Sequence, residues 1–292
     1  VALDDVETPH GRAENVLGGS AVYFSLAANF FTDVHVVGVV GPDFPGEHIA
    51  FLTAKGIDTR GIQTVPGKTF RWSGAYTGDM AQAETREVEL GVFGDFRPEL
   101  PEAYRSLPVV FLANASPHTQ MAVIEQMDAP RFIAADTMNL WIETERGALE
   151  ELIGRVDCLF INDGEARMLR GEENLIRCGQ EIREMGPSRV VIKKGEHGAI
   201  LMTGDGAVPL PAYPTASVVD PTGAGDSFAG GFMGATASEA PDESGRVGRA
   251  LALGTVVASF TVGRFGVAGL DEIDRSRVEE RYERFRQMLG RC

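Results

Sequence analysis

Short apolar runs alternate with helix-length amphipathic stretches through most of this chain, the pattern of a sheet with crossover helices. Residues 34–40, 109–113, 132–135, 158–161 and 190–192 read as buried strands, and 20–31, 46–55, 119–127, 144–153 and 175–185 as helices between them. Towards the end, 224–237, 243–262 and 271–289 carry helical patterning. One region breaks the alternation. Residues 69–77 and 85–93 read as two strands joined by a polar turn, inside a segment spanning 61–96. An isolated hairpin is marginal in water, so this one should pack on the main body, a ligand or a second subunit. It is expected either as a lid, with 11–17 contributing, or as an edge hairpin of the main sheet. The expected organisation is one α/β domain, 1–60 and 97–292, with 61–96 as an excursion from it.

The densest chemistry lies in Asp220-Pro221-Thr222-Gly223-Ala224-Gly225-Asp226-Ser227-Phe228-Ala229-Gly230-Gly231. Residues 216–219 ahead of it look like the end of a strand, and 227–237 is rich in Ala, Phe and Met, so strand, glycine turn and helix are expected in succession. Gly223 and Gly225 would let backbone N–H groups converge at a helix start, where the dipole also favours an anion. Asp226 in the first helical turn would sit beside a bound phosphate, placed to accept a proton from an attacking hydroxyl. The simpler alternative is an acid that merely complements the dipole.

At 292 residues the chain can bury one large core. Its net charge of -15 opposes binding to nucleic acid or to an anionic membrane surface. Three widely spaced cysteines, Cys158, Cys178 and Cys292, form no Cys-x-x-Cys pair and point to a reducing, cytoplasmic setting. No apolar stretch is long enough to span a bilayer. Val1-Ala2-Leu3 reads as the tail of a strand, so native residues are expected upstream.

Gly67-Lys68-Thr69 is not a P-loop, because the position needing glycine is Ile62 and a strand rather than a helix should follow. The dinucleotide fingerprint fails at Phe228. His10, His35, His48, His118 and His197 have no zinc spacing. Gly18-Gly19 offers a second place for close backbone approach, or a plain loop-to-helix junction. Asn162-Asp163-Gly164-Glu165 follows a strand, where ligands bind in open α/β sheets, although helix capping would explain it too. Lys193-Lys194-Gly195 also ends a strand, either as a phosphate contact or as a solvated end.

Taken in order, these segments resemble the ribokinase-like (PfkB) family of carbohydrate and nucleoside kinases over nearly the whole chain. The run 220–231 resembles its carboxy-terminal signature, Gly18-Gly19 its amino-terminal one, Asn162-x-x-Glu165 its Asn-x-x-Glu motif, and the hairpin its substrate-covering lid. The resemblance implies a three-layer α/β sandwich, with a mostly parallel central sheet, helices on both faces and a small β-lid. It implies an ATP-dependent phosphotransferase acting on a small sugar or, alternatively, on a nucleoside. Asp226 would be the base, and Gly223, Ala224 and Gly225 the anion hole. Asn162 and Glu165 would organise Mg²⁺ through water, and Lys193, Gly195 and Gly198 would face ATP. Asp4, Gly18, Gly19 and Asn114 would hold the acceptor, with Asp136 at a neighbouring strand end. Asp220 and Gly266 resemble a segment that coordinates K⁺ in some members. Ser20-Ala21-Val22-Tyr23 departs from the ribokinase pattern of Lys and Asn, which weakens the case for ribose. Phe70, Trp72, Tyr76 and Phe93 in the lid would stack on a nucleobase, pack the hairpin, or form a homodimer contact. A non-catalytic binding or regulatory protein on the same fold is the alternative of another class.

Overall fold

The structure, a computed structural model, describes residues 1–238 and 244–290. Glu243, the expected first residue of one helix, and Cys292 lie outside the described residues. The chain divides into two compact units, Val1–Phe96 with Tyr213–Cys292, and Arg97–Ala212.

The first unit begins with β1 (Ala2–Thr8), β2 (Gly11–Gly18), α1 (Ser20–Ala28), β3 (His35–Val40), α2 (Gly46–Ala54), β4 (Asp58–Thr64), β5 (Arg71–Tyr76) and β6 (Ala83–Glu89). A four-stranded sheet runs in the order β2-β1-β5-β6, with β1 antiparallel to β2 and parallel to β5. The hairpin read from the sequence is β5 against β6, antiparallel, Arg71 opposite Glu89. Its second arm stops early, because Gly91–Phe93 forms a 3₁₀ turn. Strands β3 and β4 pair in parallel as a separate ribbon.

The second unit contains α3 (Glu102–Arg105), β7 (Val109–Leu112), α4 (Pro117–Ile124), β8 (Phe132–Asp136), α5 (Asn139–Thr144), α6 (Arg146–Ile153), β9 (Cys158–Asn162), α7 (Asp163–Arg170), α8 (Leu175–Glu184), β10 (Arg189–Lys193), β11 (Ala199–Thr203) and β12 (Gly206–Leu210). The sheet order is β12-β11-β10-β9-β8-β7; β7 to β10 are parallel, while β11 and β12 join antiparallel. Leu159, Phe160 and Ile161 of β9 and Val190, Val191 and Ile192 of β10 are all fully buried. Such unbroken apolar runs mark parallel strands covered on both faces. The helix expected over 144–153 is α6, which starts at Arg146 because Glu145 leaves helical geometry at φ −133 and ψ 33; α5 precedes it.

The chain then returns to the first unit with α9 (Ala224–Ser238), α10 (Ser244–Thr261), α11 (Ala268–Asp271) and α12 (Arg275–Leu289). Small residues let α9 pack tightly: Gly230 faces the backbone of Phe24 in α1, and Gly231 faces Gly254 in α10. The strand expected at 216–219 is absent, and that segment is irregular. In place of a ladder partner, Val219 and Asp220 donate their N–H groups to the carbonyl of Val262, at 2.7 and 3.2 Å. One carbonyl at the end of α10 thus replaces the strand. Among the described residues, no helix is long and apolar enough to cross a membrane.

Candidate active site

Asp220, fully buried, ties down the loop ahead of α9. One carboxylate oxygen accepts the N–H of Thr222 at 2.9 Å and the other that of Gly266 at 3.1 Å. Burial disfavours its charged form and raises its pKa, while these bonds act the other way. Beyond it the chain turns through Gly223 at φ +73, a conformation that costs a residue with a Cβ about 1–2 kcal/mol. A Cβ there would also run into the base of the Tyr23 ring, at Cγ and both Cδ atoms. The turn is closed by Ala224 N–H donating to the Pro221 carbonyl at 3.1 Å. Ser227 N–H bonds back to the Gly223 carbonyl at 2.8 Å. Of the three N–H groups expected to converge, Ala224's is therefore spent inside the turn. Among the described residues, those of Gly223 and Gly225 meet no acceptor. Asp226 lies in the first turn of α9, partly exposed, as its place in the sequence predicted.

Asp4, Gly18 and Gly19 come together with this turn in the first unit. Asp4, 4% exposed, lies so close over Gly18 that a Cβ at 18 would occupy its carboxylate. Gly19, at φ +88 ahead of α1, gives its N–H to Asp4. Burial, opposed by that bond and reinforced by the charges of Asp220 and Asp226, pushes the Asp4 carboxyl up to about 7. Tyr76 of β5 reaches the same loop, its hydroxyl 3.3 Å from Thr222 Oγ1. Burial and the three carboxylates push that phenol up to about 12. The other hairpin aromatics are engaged locally. Phe70 meets Phe93 edge-on at 5.5 Å, and Trp72 folds over Gly74 with its Nε1 donating to Thr85 Oγ1 at 3.3 Å. Phe70, Phe93 and Trp72 thus make packing contacts within and beside the hairpin.

In the second unit, the carboxyl ends of β8, β9 and β10 carry Asp136, Asn162 and Lys193. Asn162 and Glu165 form a complete capping box: Asn162 Oδ1 accepts Glu165 N–H, and Glu165 Oε2 accepts Asn162 N–H, both at 2.8 Å. The capping alternative is thus realised. Burial pushes Glu165 up to about 7, against the nearby positive charge of Lys193. Lys193 Nζ bonds Asp136 Oδ2 at 2.5 Å, with Asp136 3% exposed. Gly195 and Gly198 flank a 3₁₀ turn, Gly195–His197, and Gly198 lies hard against the Leu210 carbonyl. Asn114 is held by its neighbours, accepting Trp141 Nε1–H at 2.9 Å and donating to Met138 Sδ at 3.0 Å.

Among the described residues, no three His, Cys, Asp or Glu side chains group as a metal cage. Glu165 spends one oxygen on the capping box. This set suits a hydrated Mg²⁺ that arrives with phosphates better than a dedicated protein cage. Two features escaped the sequence. The Lys193–Asp136 pair joins residues 57 apart, and the Tyr76–Thr222 contact spans 146. Only the strand-end positions of Asp136 and Lys193 hinted at the first.

Residues 4–273 match the family model described as pfkB family carbohydrate kinase. A cytidine kinase from Thermococcus kodakarensis is 31% identical over 242 residues, 80% of this chain and 84% of its own length. A nucleoside kinase from Methanothermobacter thermautotrophicus is 29% identical over 80% of this chain and 77% of its own. Among solved structures, a candidate ribokinase II from Escherichia coli, in complex with ATP and Mg²⁺, superposes with a TM-score of 0.79 at 18% identity, covering 97% of this chain and 96% of that one. At that identity the likeness establishes the ribokinase fold.

Proposed function

Because the chain belongs to the pfkB family of carbohydrate kinases, we propose that it transfers the terminal phosphoryl group of ATP to a sugar hydroxyl of a nucleoside. The kinase class comes from the family. The nucleoside preference is supported by two relatives, a cytidine kinase and a nucleoside kinase, each matching 80% of the chain. It displaces the free sugar favoured by the sequence alone, which stays as the second reading because the family model is one of carbohydrate kinases.

One observation carries the mechanism: a glycine turn at the start of a 15-residue helix, with Asp226 in its first turn and Asp4 acting electrostatically in the same cluster. Asp226 takes the proton of the acceptor hydroxyl as that oxygen bonds to the terminal phosphorus and the bond to the bridging oxygen breaks, releasing ADP. The N–H groups of Gly223 and Gly225, with the helix dipole behind them, stabilise the charge on the transferring group. Ala224 contributes through the turn that its N–H closes. Asp4, set over Gly18 and bonded by Gly19, accepts hydrogen bonds from acceptor hydroxyls. Strands β5 and β6 act as the lid.

In the second unit, Asn162 and Glu165 are assigned to Mg²⁺ through water. When bound, Mg²⁺ neutralises phosphate charge and orients the transferring group. Lys193 is committed to Asp136, so nucleotide contact there falls to the backbone at Gly195 and Gly198. Asp220 is assigned to anchoring the loop, both its oxygens accepting N–H groups, and we assign it no monovalent cation.

The test is Asp226→Asn with a panel of nucleosides and sugars. Loss of the base should lower kcat by roughly 10²–10⁴-fold. Near-normal turnover would remove Asp226 from the mechanism, and wild-type turnover of sugars but no nucleoside would reverse the substrate preference. If the wild type turns over nothing in the panel, the binding-protein alternative stands.

A further inference from the structure

On α12, Arg277, Arg281 and Arg284 stand four and three residues apart, the spacing that sets side chains on one face of a helix. With Glu280 and Tyr213 they line a solvent-open hollow of about 210 Å³. Glu280 is already shared, one oxygen accepting Arg277 Nη1–H at 2.6 Å and the other Arg284 Nη2–H. Arg281 has no carboxylate within ion-pair distance among the described residues. Rings fix it instead. Its Cζ lies 3.4 Å from the centre of Phe260 and 5.1 Å from that of Tyr213, and Nη1 donates to Ser259 Oγ at 2.9 Å. The other N–H groups of this guanidinium meet no acceptor among the described residues. Burial acts against its charge, and the like charges of Arg277 and Arg284 add to that, while Tyr213 and Glu280 act the other way. A rigidly held cation without a counter-charge calls for an anion.

Charge and shape identify that anion. Three guanidiniums less one carboxylate leave two positive charges in excess around the hollow, on a chain whose net charge is -15. A second carboxylate would offset one of them. The dianion of a phosphate group offsets both and presents several acceptor oxygens to planar guanidinium forks. An extended polyanion fits less well, because Glu279 and Glu283 lie on the same turns of α12. We propose that this hollow is a phosphate-binding site, taking inorganic phosphate or the phosphate group of a small phosphomonoester between Arg281 and Arg284. The site shares no residue with the glycine turn or with Asp4, and it does not rest on the kinase reading. Its two anchors lead to the Asp220 loop from either side. Tyr213 opens the stretch that ends at Asp220, and Ser259 lies three residues before Val262, whose carbonyl holds Val219 and Asp220. An anion that holds Arg281 between them therefore stabilises the folded chain.

The experiment titrates wild type, Arg281→Gln and Arg284→Gln with inorganic phosphate and with glycerol 3-phosphate at constant ionic strength, reading bound ligand by equilibrium dialysis and Tm alongside. Arg284 is exposed, so its variant keeps the wild-type Tm without ligand and carries the test even where Arg281→Gln, which also loses the ring contacts, is less stable. The glycine turn is the same in all three proteins, so phosphate held there cancels in the comparison. In each variant, phosphate binding should weaken about tenfold and the phosphate-induced rise in Tm should shrink with it, while affinity for Mg²⁺-ATP stays within twofold. Equal phosphate binding by wild type and Arg284→Gln overturns the proposal. So does a sodium chloride control that raises Tm as much as phosphate does, or a parallel loss of Mg²⁺-ATP affinity, which would put the phosphate in the nucleotide's site. Tighter binding of glycerol 3-phosphate than of inorganic phosphate, lost in the variants, supports a phosphomonoester as the occupant, and the reverse order supports free phosphate.

Discussion

Replacing Gly223 by alanine probes the glycine turn without touching a charge. The new methyl group faces two separate penalties. Backbone geometry at φ +73 costs a residue with a Cβ about 1–2 kcal/mol. The methyl also strikes Tyr23 at Cγ and both Cδ atoms, the base of the ring, and rotation about Cβ–Cγ leaves the Cγ clash in place. Overpacking of this kind costs about 1–3 kcal/mol. Together they come to roughly 2–5 kcal/mol, which at about 2–4 °C per kcal/mol lowers Tm by on the order of 4–20 °C. Thermal unfolding of Gly223→Ala, Tyr23→Ala and the double variant separates the terms. The steric part should vanish in the double variant, giving a favourable coupling of at least about 1 kcal/mol, while the backbone part persists. Additive effects, or a Gly223→Ala protein within 1 °C of wild type, would refute the contact between turn and ring.

Asp4 makes stability depend on pH. Its carboxyl titrates at about 7 in the folded protein against an ordinary 3.8, so between those values the folded state holds a proton that the unfolded state has released. The contribution is full below 3.8 and is lost as pH rises through 7, with a ceiling on the order of 4 kcal/mol at about 1.4 kcal/mol per pH unit. Wild-type Tm should therefore fall from pH 5 to 8 more steeply than that of Asp4→Asn, and parallel curves would exclude the shift. Lys193→Met strands the buried Asp136 carboxylate and should cost about 3–5 kcal/mol, most of it recovered in Lys193→Met/Asp136→Asn. A single variant as stable as wild type by thermal unfolding would show that the pair is not coupled.

Much of this architecture was legible because it is local. A parallel strand buried on both faces must be apolar throughout, so β8, β9 and β10 announced themselves, and the run 220–231 placed Asp226 on a helical first turn before any coordinates. The errors were also physical. Residues 216–219 carry strand-like side chains, but their N–H groups found the Val262 carbonyl at the end of α10. The helix read over 144–153 begins at Arg146, because the backbone leaves helical geometry at Glu145, and α5 ahead of it went unread. Strands β11 and β12 were missed because antiparallel additions to a parallel sheet leave little trace in periodicity.

The sequence alone pointed to the reaction class, since the family's carboxy-terminal signature is contained in a dozen consecutive residues. Only tertiary structure decided what surrounds Asp226. Tyr23 and Gly223 are 200 positions apart and Asp4 and Asp220 are 216, and the contacts at these sites depend on separations no pattern encodes. Folding buries Asp4, raises its pKa and leaves the Tyr23 hydroxyl without a partner. Burial removes the water that would otherwise satisfy both groups, and it is a property of the assembled unit rather than of any segment.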